Sequence, residues 1–379
     1  MIKIDSKVLR ITYTIFALSW FLGDYMGNFG DDFKYAFWIL SILVAILPLI
    51  YIGLGYKRLN ITWNTYIIKQ VLGVVFAFAV VSIFGMTVNG HHLFMWKDLF
   101  YILLPAVYCY IIVNLDEREN LDYYIDFAFW GFVINFVLIA TPQSFTMANL
   151  MSISFADSYS PWESGLADMF IICFMYYHSI KKRLNAFVAL LLNALSFKRI
   201  HVFYMILFIL IHPFLKNKRV PRSVEIITKI FFILSPILIY ASLSDSFSAW
   251  FESSFGMDLN SFTMGRFNQL DLICDLDENL TGLGMTHYML IIKDFPIHRL
   301  HCDIMRLFLE TTVVGLVVFV NNYINIAKRN QKGFMIMLLF FIVMLSSTFM
   351  ENCFYWLMIF LVIENFERKY NPKEAQNEA

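Results

Sequence analysis

The chain has 379 residues, 59% of them hydrophobic and only 15% charged, with a formal net charge of zero and a mean hydropathy of +0.63. A soluble globular chain carries about a quarter charged residues, so an ordinary soluble domain is excluded. Zero net charge supplies no long-range attraction to nucleic acid, which is not an expected partner.

Apolar runs long enough to cross a bilayer core of about 30 Å recur from end to end. In chain order they lie near 10–27, 35–55, 63–86, 95–114, 123–141, 163–180, 184–197, 200–215, 225–243, 303–326, 333–349 and 353–366. Residues 1–10 lead straight into the first run with no small-residue cleavage site, so no cleavable leader is expected. As one helix, 184–215 would measure roughly 48 Å, too long for one crossing. A hairpin turning at Lys198-Arg199 fits better, and a second is predicted around Glu351-Asn352. With the N-terminus inside, most of the 29 basic residues fall in inside segments, as the positive-inside rule requires.

The expected fold is therefore all-α: a polytopic membrane bundle of about twelve transmembrane helices in the inner (cytoplasmic) membrane. Both termini are expected in the cytoplasm. Residues 1–243 hold the first nine helices, 244–302 a long outside loop, 303–366 the last three and 367–379 a polar tail. The loop is the largest non-membrane segment. Trp250, Phe251, Phe255 and Phe262 make it too apolar for disorder, and short amphipathic helices folded back on the bundle are predicted. Cys274 and Cys302 share that side, where a disulfide is chemically open, but buried or free thiols are the preferred reading.

Few basic residues are expected outside, so each one there is informative. Lys198 and Arg199 occupy a turn so tight that they sit at the membrane surface. They either snorkel to headgroups or clamp an anion, the planar Arg199 fork suiting phosphate oxygens. In the loop, the run TMGRFNQLDLICDLDENLTGLGMTHY opens with Gly265-Arg266, continues as an amphipathic helix, then turns at Gly282 and Gly284, which permit close backbone approach. A second cluster follows, with His298, Arg299, His301 and Asp303 just before the tenth predicted span and Arg306 and Glu310 on one face of it. The plain reading is an Arg306–Glu310 pair with Asp303 capping the helix; the functional one is a cavity lined by costly intramembrane charges. Asp24, Glu163, Asp168 and Glu351 lie near the outer ends of their spans, and His91-His92 falls below the ligand number of a zinc site.

The Gly-Arg, Gly-Leu-Gly, His-Cys-Asp order across 261–316, the closing Glu-Thr-Thr-Val-Val-Gly-Leu and the Ser-Phe-Lys-Arg at 196–199 resemble the O-antigen polymerase and O-antigen ligase superfamily. The predicted topology resembles it over the whole chain. That resemblance implies a glycosyltransferase whose donor is an undecaprenyl-pyrophosphate-linked oligosaccharide, with Arg199 and Arg266 holding the pyrophosphate. Arg199, Arg266, His301, Asp303 and Glu310 are the implied catalytic residues. Lys198, Arg299, Arg306, Gly282 and Gly284 are the implied substrate-binding ones. No metal or other cofactor is implied, because arginines supply the countercharge; membrane lipid and a chain-length regulator are the further implied partners. The family commonly has His-Asn where this chain has His301-Cys302-Asp303, which favours a repeat-unit polymerase over a ligase acting on lipid A–core. A polysaccharide flippase is the third reading, disfavoured because the halves look unlike and the outside charge gathers at one face.

Overall fold

The computed structural model describes residues 6–27, 64–90, 94–116, 121–140, 144–153, 160–162, 166–196, 198–263, 265–276, 278–295, 299–350 and 352–370. Among them every regular element is helical, with sixteen α-helices and one short 3-10 turn. The first part comprises α1 (Ser6–Gly27), α2 (Tyr66–Asn89), α3 (Phe94–Leu115), α4 (Asp122–Ala140), the short α5 (Met147–Met151), α6 (Ala167–Ser179), α7 (Arg183–Ser196), α8 (Arg199–Ile211) and α9 (Arg222–Ser242). The long loop folds into α10 (Asp245–Phe255), α11 (Leu259–Phe262), α12 (Arg266–Cys274) and α13 (Met285–Ile292). The chain closes with α14 (Asp303–Ala327), α15 (Gln331–Met344) and α16 (Cys353–Tyr370).

A helix stands at every predicted span except 35–55, which lies outside the described residues. Among the described residues, four stretches are long and apolar enough to cross a membrane: Tyr66–Asn89, Phe94–Asn114, Asp122–Ala140 and Arg222–Ser242. Shorter apolar helices accompany them, and together they suggest insertion into a membrane. On α9, Ile227, Ile237 and Leu238 are each about 60% exposed or more. Such a face needs an apolar surrounding. The predicted turn at Lys198 is a helix boundary, with α7 ending at Ser196 and α8 starting at Arg199. The second predicted turn falls between α15 and α16, and α16 runs on to Tyr370, past the predicted limit at 366.

Helix α14 is the hub of the bundle, packed against α2, α9 and α15, while α16 lies along α3. Small residues let α2 and α14 approach closely: a Cβ on Gly315 would collide with the Thr311 side chain and crowd Phe78. Aromatic rings fill much of the interior, with Tyr13, Tyr108, Tyr124, Phe132 and Trp356 all under 2% exposed. One residue breaks the hub. Thr312 sits at φ 61, ψ −178 inside α14, a conformation that costs a β-branched residue about 1–3 kcal/mol. The break takes the Glu310 carbonyl out of the helical ladder, and Gly282 N–H donates to it at 2.7 Å. Val314 N–H turns instead to Thr312 Oγ1 at 3.3 Å. Both groups therefore keep partners, and the strain is exchanged for a tie between the hub and the long loop.

Candidate functional site

The Gly282-Leu283-Gly284 turn is wedged between α2, α3 and α14. Leu283 N–H donates to Ser82 Oγ at 3.1 Å, and Asn89 Nδ2 donates to the Thr281 carbonyl at 2.9 Å. Gly284 N–H, Thr286 N–H and Thr286 Oγ1 donate to the Glu310 carboxylate at 2.9, 3.0 and 2.5 Å. Gly282 and Gly284 have φ of +121 and +74, where a side chain is disfavoured. A Cβ on Gly284 would also lie 2.6 Å from Phe94 Cβ and 3.0 Å from its carbonyl carbon, and one on Gly85 would strike the Thr281 carbonyl. The motif thus brings two backbones together. Gly284→Ala is expected to cost about 3 kcal/mol, from a left-handed backbone penalty plus overpacking. Thermal unfolding in detergent checks this, and an unchanged midpoint would refute the packing role.

Arg306 lies at the centre of a second knot, 3% exposed. Its Nη2 pairs with Asp98 on α3, and its Nε reaches both Glu310 oxygens at 3.3 Å. Asp303, fully buried, accepts through Oδ2 from the backbone N–H groups of Phe349 and of Met350, the latter at 2.6 Å. It thereby pins the turn between α15 and α16 to the start of α14. With these donors taken up, Glu310 and Asp303 hold backbone, and Arg306 neutralises the carboxylates around it. All three, given catalytic or binding parts by resemblance, are engaged in contacts that tie α14 to α3, to the long loop and to the α15–α16 turn, and Asp98 completes the knot.

The α7–α8 boundary is organised by another buried acid. Asp168 on α6 receives Lys198 Nζ at 3.0 Å on Oδ2 and His201 Nε2 at 2.9 Å on Oδ1. His201 Nδ1 accepts from Asn193 Nδ2 at 3.3 Å, which leaves the imidazole proton on Nε2, the atom that faces the Asp168 carboxylate. Asn193 Nδ2 also donates to the Ala167 carbonyl at 2.7 Å, so α6, α7 and α8 share one network. It fixes the backbone from which Arg199 projects. Arg199 crosses to the long loop, donating from Nη2 to the Phe262 carbonyl at 3.0 Å with its guanidinium 5.2 Å from the Phe262 ring centre.

On the loop side His301 is half-buried and donates its backbone N–H to Gln269 Oε1 at 3.4 Å. Burial pushes its imidazole below the usual histidine range, and the positive charges of Arg266, Arg299 and Lys198 push the same way. Lys198, from the α7–α8 boundary, and Arg266 and Arg299, from the long loop, therefore all act on one imidazole. Beside it a cavity of about 200 Å³ is lined by Asn268, Gln269, Leu272, Phe295 and Arg299 among others. That is smaller than a drug-sized pocket of about 300 Å³ or more, a space for one ring-sized group. The unfolded chain, with its histidine near 6.5, binds the extra proton that folded His301 resists. Stability from this group is hence present above about pH 6.5 and is lost as pH falls through the lower folded value. The unfolding midpoint should drop from pH 7 to pH 5, and His301→Gln should flatten that drop; equal slopes would contradict it.

Cys274 and Cys302 are free thiols, and burial raises them to about 11 and about 12. The side chain of Asp24, and His91, His92, Glu163, His298 and Glu351, lie outside the described residues. Sequence reasoning missed Asp98, His201 and Asn193. A carboxylate in the first turn of an apolar run was the available signal for Asp98, since such charges need a partner. No family model, curated protein or solved structure matches the chain. Fold and site together define an all-α protein with membrane-type helices, in which Lys198, Arg266 and Arg299 act on His301 beside a small, mainly apolar cavity.

Proposed function

We propose that the protein is a metal-independent membrane glycosyltransferase using a polyprenyl-pyrophosphate-linked glycan, specifically an O-antigen polymerase. In this reading it crosses the inner membrane about twelve times, keeps both termini in the cytoplasm and works at the outer face. The observation that carries it is the meeting of the α7–α8 boundary with the long loop: Arg199 reaches the Phe262 carbonyl and ring, while Lys198 acts electrostatically on His301 together with Arg266 and Arg299. A diphosphate on a lipid anchor needs several cations at the edge of an apolar body, and guanidinium forks match its oxygens. The acceptor hydroxyl attacks the anomeric carbon with inversion as the bond from that carbon to the pyrophosphate oxygen breaks. The cations stabilise the charge that develops on the leaving diphosphate. In this reading His301 accepts the hydroxyl proton.

A strain lacking the gene tests the reaction. Its lipid A–core should carry a single repeat unit, with the long ladder of surface polysaccharide gone. Core with no repeat unit at all would point instead to ligation or flipping and overturn the polymerase reading.

A further inference from the structure

Helix α10 carries two unlike faces. Phe247, Trp250, Phe251 and Phe255 fall on one stripe, while Asp245, Ser246, Ser248, Glu252 and Ser253 fall on the other. In a loop helix packed on protein the aromatic stripe would be covered. Here Trp250 is 54% and Phe255 59% exposed, and Met257 and Phe262 beyond the helix are also exposed. The rings touch one another rather than a core: Phe251 lies 4.7 Å from Phe255 and 5.4 Å from Phe262 between ring centres. Phe262 in turn holds Arg199 through its carbonyl and its ring.

We propose that α10 and Phe262 form an interfacial element whose aromatic stripe sits in the lipid at the membrane surface, setting the depth of Arg199. Two observations favour lipid over a protein partner. The helix follows α9 after only Leu243 and Ser244, and Leu238 and Tyr240 near the end of α9 are 59% and 61% exposed. The aromatic stripe therefore continues a surface that already calls for an apolar surrounding. Tryptophan, with an apolar body and one N–H, suits the headgroup level, and such helices bury their apolar face about 5–10 Å into the boundary. The charges along α10 and just beyond it are acidic (Asp245, Glu252 and Asp258), with Arg199 the cation at the Phe262 end, so insertion depends on the aromatic rings and not on a basic helix face drawn to anionic lipid. The inference goes beyond glycosyl transfer and stands or falls without it.

The test uses the full chain in nanodiscs of phosphatidylcholine, with nitroxide attached at Phe255→Cys or, as a control, at Ser253→Cys, in a Cys274→Ser background. The label at 255 should collide with oxygen several-fold more than with a water-soluble nickel chelate, and the label at 253 should show the reverse. Adding anionic lipid or salt should leave the depth at 255 unchanged. Preferential collision with the chelate at 255 would overturn the proposal. So would exclusion of both reagents there, which would mean that protein, such as a second copy, covers the stripe.

Discussion

Arg306→Met should lower the stability of the folded protein by about 3–5 kcal/mol, the usual consequence of stranding a buried charge. The substitution keeps side-chain bulk but removes the guanidinium paired with Asp98, itself 2% exposed. Glu310 loses less, because Gly284 and Thr286 still donate to it. Asp98→Asn combined with Arg306→Met should therefore recover part of the loss, since the stranded charge is then gone. Unfolding midpoints of the purified proteins in detergent, compared as a double-mutant cycle, measure both effects. An unchanged midpoint for Arg306→Met would refute the structural role and return Arg306 to the list of substrate contacts.

Arg199→Ala and Arg266→Ala should each abolish long-chain polysaccharide while single-unit core persists and the protein still accumulates. If these guanidinium groups stabilise the leaving diphosphate, each loss should slow transfer by about 10²-fold or more. Arg199→Lys is the sharper variant. An ammonium keeps the charge but is a compact point charge without a planar fork, and it cannot reproduce the Phe262 contact while also gripping two phosphate oxygens. Full polymer length with Arg199→Lys, read on a gel of surface polysaccharide, would eliminate the bidentate clamp. Persistence of polymer in both alanine variants would eliminate the pyrophosphate site.

Much of the architecture was legible in the amino-acid order. Hydrophobic run length located the apolar helices, and the four-residue interval 196–199 marked a boundary because one 32-residue helix would overrun a bilayer. The aromatic content of the loop predicted that it would fold, and four helices stand there. These properties follow from local composition and spacing, which the chain carries without reference to distant partners.

Roles within the polar clusters were not legible in that way. Arg306 and Glu310 announced a pair by their spacing, yet Asp98, more than two hundred residues away, completes it. Gly-Leu-Gly suggested close approach but not its object, which is Gly85 on one side and Phe94 on the other. Asp168 gave no sign that it would join Lys198 to His201. Burial and pairing decide whether a charged side chain is architecture or remains for a ligand, and both depend on which helices become neighbours. The sequence by itself determined an all-helical chain with membrane-type helices and a folded loop, because periodicity and hydropathy are local. Only the tertiary structure decided that Asp303, Arg306 and Glu310 bind the bundle together, that Arg199 reaches Phe262 and that Lys198 acts with Arg266 and Arg299 on His301, because each rests on contacts between distant segments.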